Sequence, residues 1–170
     1  MEENKNLAEK KLKERENENL GNRGLKIKRM FTKKGGDRYK GINFIKTSSK
    51  ISNPDGSVVF EMKDIEVPDT WSQVAIDILA QKYFRRKGVP QKDLEGNPLK
   101  DENGNQILGS ETSAKQTVNR LAGAWRHWGE NFGYFESKED ANAFEDEVAY
   151  MLMTQMAAPN SPQWFNTGLN

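Results

Sequence analysis

The sequence predicts an α+β fold that is mainly helical, with one small β-hairpin element. Three observations predict it. Three stretches repeat apolar residues at spacings of three and four, the period of one helix face. One Asn-Pro-Asp-Gly cluster separates two runs rich in β-branched and apolar residues. The 170 residues are enough for one domain with a real core, yet 30% are charged and the mean hydropathy is −0.90. That polarity places part of the chain outside the core.

Residues 1–22 read as a charged, apolar-poor lead containing NKNLAEKKLKERENENL. Leu7, Leu12 and Leu20 are too few to dock it, so a disordered or loosely helical lead is expected, and residues 23–170 form the domain proper. From 23 to 50 the charge turns basic: Arg23, Arg29, Lys33, Lys34 and Arg38 are among the cations, and Asp37 is the one acid. Phe31, Tyr39 and Phe44 are interleaved. This stretch reads as a solvated surface segment, or one that wraps another part of a larger protein. The alternative is a track for a phosphate backbone with stacked bases.

The hairpin is expected over about 42–67. Asn53-Pro54-Asp55-Gly56 supplies the turn, since proline presets φ and glycine accepts φ > 0. The first helix is expected over about 71–87, with Thr70 as N-cap, Gln73 completing a capping box, and Trp71, Val74, Ala75, Ile78, Leu79 and Tyr83 on one face. Gly88 and Pro90 stop it. A polar connector follows, with Asn103-Gly104 as the turn of a small hairpin. Asp101, Asn103 and Asn105 resemble the start of a calcium loop, but Gln106 and Thr112 stand where that loop needs glycine and glutamate, so calcium is rejected.

The second helix is expected over about 113–132, again with a box, Ser113 and Gln116. Val118, Leu121, Ala122, Trp125, Trp128 and Phe132 share its face, so both tryptophans read as core rather than as a stacking platform. His127 falls off that face and reads as a surface residue. The third helix is expected over about 138–157, started by Ser137, with Ala141, Phe144, Val148, Met151, Leu152 and Met156 inward and Pro159 as its stop. Glu145, Asp146 and Glu147 are consecutive, so on a helix they diverge and cannot converge on one metal. The segment 159–170 is apolar, aromatic and rich in turn residues. It reads as a chain cut at the edge of a larger fold.

Several function classes fall away. With no cysteine and His127 as the one histidine, the chain has no disulfide, no Cys/His zinc site and no thiolate nucleophile. No G-x-S-x-G elbow, P-loop or G-x-G-x-x-G is present. Lys and Arg total 26 against 25 Asp and Glu, so there is no global pull toward nucleic acid. No apolar run is long enough for a membrane span and no signal-peptide core opens the chain, so a cytoplasmic protein with no membrane partner is expected.

Four stretches taken in order carry a family resemblance. They are NPDGSVVFEMKDIEVPDTWSQVAIDILAQKYFRRKGVP (53–90), Gly109-Ser110-Glu111-Thr112-Ser113, then Trp128-Gly129 with Gly133-Tyr134-Phe135, and finally MAAPNSPQWFNTGL (156–169). Together they resemble the N-terminal region of class II, adenosylcobalamin (vitamin B12)-dependent ribonucleotide reductases, over roughly 29–170. The resemblance implies a helical region that precedes a ten-stranded α/β barrel and is truncated here at the barrel entrance. It implies reduction of ribonucleotides, with a lean toward diphosphates, by a cysteine thiyl radical generated with adenosylcobalamin. It also implies that Ser161 contacts the substrate nucleotide. A hydroxyl between two prolines suits that role, because a rigid backbone presents one donor to a phosphate or ribose oxygen. On the residues alone, Ser161 reads equally as a turn residue before Pro162.

The chain departs from the family in lacking every cysteine. The radical cysteine, the reducing pair and the cobalamin pocket must therefore lie in a remaining barrel portion, in cis or as a separate chain. This segment alone is expected to be inactive, to bind no cofactor or metal, and to serve as scaffold and edge of the substrate site. The alternatives are a small basic nucleic-acid-binding module using 23–50, or a helical protein-interaction module using Trp125 and Trp128.

Overall fold

The computed structural model of the chain describes residues 24–93 and 96–169. The lead expected at 1–22 lies outside the described residues, as does Arg23. The described chain contains two antiparallel hairpins and four helices.

Strands β1 (Phe44–Ser52) and β2 (Val58–Pro68) pair antiparallel from Phe44 opposite Pro68 to Ser52 opposite Val58. The turn closes as its residues demand: Gly56 has φ +84°, and Asp55 accepts from the Ser57 amide at 2.8 Å. A bulge breaks the register between Thr47 and Ser49, where Asp64 takes φ +57°. Beyond the bulge Ile65 and Val67 are fully buried, and Ser49 turns inward to donate to Asp77 at 2.6 Å.

Helix α1 is shorter than the period suggested. It covers Gln73–Ile78, and a π-helical turn over Leu79–Tyr83 continues it. The Phe84 amide bonds to the Leu79 carbonyl, and the chain leaves extended at Phe84. The N-cap is Ser72, not Thr70, and its hydroxyl accepts from the Ala75 amide. Gln73 instead donates to the Ser48 carbonyl and to Asp77. With Trp71 outside the helix, a face counted from it is wrong: Val74 is 67% exposed while Ile76 is buried. The wider turn then adds a residue, which brings adjacent Leu79 and Ala80 both inside.

The connector is a nested arm. Strands β3 (Val89–Pro90) and β4 (Leu108–Gly109) pair at its base, and Lys100 bridges Gln106 around the Asn103-Gly104 turn. Asp101 there accepts the amides of Asn103 and Asn105, work for a turn residue rather than for a calcium ligand.

Helix α2 (Ala114–Asn131) starts on the Ser113–Gln116 capping box, formed in both directions. Val118, Leu121 and Ala122 are buried, but the face stops there: Trp125 is half-buried, Trp128 is 48% exposed and Phe132 71%. The expected core position of Trp128 is thus corrected, because the buried position at that level of α2 is Gly129. Phe135 fills the space, its ring lying over Gly129, where an added Cβ would sit 2.4 Å from the ring.

Helix α3 (Lys138–Met153) is capped by Ser137 and ends six residues before Pro159. Its stop is a Schellman turn: Met156 N–H bonds to the Met151 carbonyl, Gln155 N–H to the Leu152 carbonyl, and Gln155 takes φ +58°. Met156, expected on the inner face, lies beyond the helix and is 55% exposed. The expected turn-rich segment at 159–170 holds a further short helix, α4 (Ser161–Asn166).

One core joins these pieces. Ile65 and Val67 from β2, Leu79 and Phe84 from the first helical unit, Leu121 of α2 and Leu152 of α3 pack together. Each such side chain contributes about 1.5–3 kcal/mol on burial. The basic stretch runs across α3, whose three consecutive acids all hold it. Arg38 pairs with Glu145 at 2.8 Å and Asp146 at 3.0 Å, and Arg29 pairs with Asp146 at 2.7 Å. Glu147 accepts the amides of Met30, Phe31 and Thr32 and the Thr32 hydroxyl. The acids diverge around the helix, and the segment is wide enough to meet each of them.

Candidate functional site

Ser161 opens α4, and the surrounding chain holds it from three directions. The Asn160 side chain caps the helix by accepting the Ser161 amide at 2.9 Å. The Trp164 indole N–H donates back to the Pro159 carbonyl at 3.0 Å, closing the Asn-Ser-Pro turn on itself. Trp164 is buried and stacks on Tyr83, with centroids 5.5 Å apart and planes 7° apart. The Tyr83 phenol meets the Ser161 hydroxyl at 2.9 Å. Ser161 itself is exposed, so its hydroxyl faces solvent from a backbone fixed by Pro162 and these bonds.

A buried ion pair holds the far end of α4. Arg120 of α2 donates to Glu111 at 2.8 and 3.1 Å, and both side chains are nearly inaccessible. The remaining Arg120 N–H groups reach the Thr167, Trp164 and Tyr83 carbonyls at 2.7, 3.1 and 3.3 Å. Glu111 is completed by the Arg85 amide and the Thr117 hydroxyl. One guanidinium therefore ties the π turn, α2 and α4 together. Gly168 lets the chain pass: at φ +69°, its missing Cβ would stand 2.7 Å from the Arg120 carbonyl.

Two hollows flank α4. An apolar cavity of about 330 Å³ lies between α1, the end of α3 and α4, with Trp71, Ile78, Tyr83 and Trp164 in its wall. A more polar cleft of about 610 Å³ lies on the other side, between α2 and the end of α4, and includes Arg120, His127, Trp128 and Gly168. His127 is exposed and bonds Asn131 at 2.9 Å. Chemically the site offers a fixed hydroxyl, a phenol and a stacked indole. Among the described residues no group of three or more His, Asp or Glu side chains lies together as a metal site.

Ser161 was singled out by the family resemblance, whereas the side chains that surround it here were not. Tyr83 reads in the sequence as one more core position, and Arg120 is not singled out. The weak signal for Arg120 was Thr117 one turn earlier, a second polar residue beside the apolar face. Several residues of the nucleic-acid alternative are engaged within the fold, while Lys33, Lys34 and Lys40 are exposed. Arg29 and Arg38 are ion-paired, Tyr39 is buried and donates to Asn119 at 2.6 Å, and Phe31 stacks on Tyr150. Burial pushes the Tyr39 phenol pKa well above its usual value, in spite of the opposing charge of Arg38. No helix among the described residues is long and apolar enough to cross a membrane.

Known proteins match this chain. A family model described as class II vitamin B12-dependent ribonucleotide reductase matches residues 45–155. The vitamin B12-dependent ribonucleotide reductase of Agrobacterium fabrum is 52% identical over 162 residues, covering 86% of this chain and 13% of the relative. The protein of that name from Bradyrhizobium diazoefficiens is 49% identical over 164 residues, with the same coverage. The one from Streptomyces clavuligerus is 37% identical over 148 residues, covering 86% of this chain and 14% of its own length. The chain thus spans about one-seventh of the length of these relatives. It belongs to the class II, vitamin B12-dependent ribonucleotide reductase family and corresponds to the N-terminal region of that enzyme.

Proposed function

We propose that this chain is the N-terminal part of an adenosylcobalamin-dependent ribonucleoside-diphosphate reductase, a cytoplasmic enzyme that makes deoxyribonucleotides for DNA synthesis. It acts as scaffold and as one edge of the substrate site. The remaining barrel portion, in cis or as a separate chain, supplies the cysteines, and α4 leads the chain toward it. Ser161 donates a hydrogen bond to a phosphate or ribose oxygen of the ribonucleotide. The observation that carries this reading is the exposed Ser161 hydroxyl on a backbone locked by Asn160, Pro162 and Trp164.

Adenosylcobalamin supplies the radical when bound to the complete enzyme. The residues of this chain do not fit it. There is no cysteine to receive a radical, and the one imidazole, His127, is engaged with Asn131 on the outside of α2. The contribution of this chain is therefore binding and orientation, and no redox step runs through it.

The test is kinetic, on the full-length reductase carrying this region. A hydrogen bond to a charged group is worth about 1.5–3 kcal/mol, so Ser161→Ala should raise KM for the ribonucleoside diphosphate roughly 10- to 100-fold. An unchanged KM removes Ser161 from the substrate site. If the separately expressed remainder neither binds this chain nor gains cobalamin-dependent activity from it, the scaffold reading fails.

A further inference from the structure

The Tyr83 phenol is more than packing. Its ring lies flat on Trp164, whose indole is itself tied to the Pro159 carbonyl, so the stack holds one face of the ring. Its carbonyl receives Arg120, so its backbone is held as well. Tyr83 ends the π-helical turn, and the extra residue of that wider turn rotates its side chain away from where an α-helix would aim it. The result is a phenol oxygen fixed 2.9 Å from the Ser161 hydroxyl oxygen.

We propose that Tyr83 is the positioning residue for Ser161, presetting its hydroxyl as a hydrogen-bond donor to an oxygen of a nucleoside phosphate. A phenol is more acidic than an alkyl hydroxyl, so within the pair Tyr83 donates and Ser161 accepts. Ser161 has one proton and two lone pairs. With a lone pair filled by Tyr83, its own proton turns outward, and donation to that proton's acceptor is strengthened along the chain of bonds. An anionic phosphate or a ribose oxygen is such an acceptor. The proposal rests on the substrate-contact reading of Ser161 and adds what sets the direction of its hydroxyl.

Tyr83→Phe, Ser161→Ala and the double variant, made in the full-length reductase, test it. Phenylalanine keeps the stack on Trp164 and removes only the hydroxyl, so the melting temperature should stay within about 2 °C. KM for the ribonucleoside diphosphate should rise about 3- to 10-fold with kcat nearly unchanged. The double variant should match Ser161→Ala alone, because the phenol acts only through the serine. In a Ser161→Thr background, which keeps a hydroxyl, Tyr83→Phe should again raise KM. An effect of Ser161→Ala with none from Tyr83→Phe, or fully additive effects, overturns the positioning role and leaves the Ser161 contact standing. No effect from Ser161→Ala overturns both.

Discussion

Arg120 and Glu111 lie nine positions apart and meet at 2.8 Å inside the fold, both side chains less than a tenth exposed. Their partners are mostly backbone groups of other elements, so the pair joins α4 to the rest of the chain. Removing one member leaves a buried charge without its counterion, at a cost of about 3–5 kcal/mol. Arg120→Met should therefore lower stability by that amount in urea denaturation. Glu111→Gln combined with Arg120→Met should recover part of the loss. A single-variant loss under about 1 kcal/mol contradicts the clamp.

Gln155 ends α3 in the left-handed region at φ +58°, where a side chain is strained and glycine is not. It is exposed, so little packing is lost on truncation. Gln155→Gly should stabilise by about 0.5–1 kcal/mol, seen as a raised melting temperature. A lowered one means that the side chain does more than tolerate the turn.

Gly129 sits under the Phe135 ring, which in turn packs 5.2 Å from Phe144. Gly129→Ala pushes a methyl into that ring and should cost about 1–3 kcal/mol despite the better helix propensity of alanine. The pair Gly129→Ala with Phe135→Leu should cost less than the sum of the two singles. Strict additivity would show that the two positions do not touch.

Acid should loosen the grip of α3 on the segment it holds. Burial raises the Glu147 and Glu145 pKa values. Donors from Thr32, Met30 and Phe31 at the first and from Arg126 and Arg38 at the second outweigh that effect, so both carboxyls end below their usual 4.5. A carboxyl depressed by folding contributes stability above its unfolded value and loses it as pH falls through the folded value. The melting temperature should be flat from pH 7 to about 5 and fall below about 4.5. Glu147→Gln should start lower and fall less steeply. A parallel curve for that variant would sink this account.

The sequence by itself determined the local starts and turns. Ser113 with Gln116, Ser137, and the Asn53 to Gly56 and Asn103-Gly104 turns work through atoms a few positions away, and they stand where their chemistry puts them. The family motifs were equally legible, since identity in order needs no geometry. The tertiary structure alone decided which polar residues turn inward and which aromatics turn out. Arg120 is inside because Glu111 and three carbonyls wait there, and Trp128 is half exposed because none of the described elements covers it fully. Helix α1 stops early because the extended exit at Phe84 buries that ring. Glu145, Asp146 and Glu147 found a shared task because a segment about 110 residues upstream crosses all three. Periodicity counts positions along one element, whereas burial depends on what the other elements bring to it.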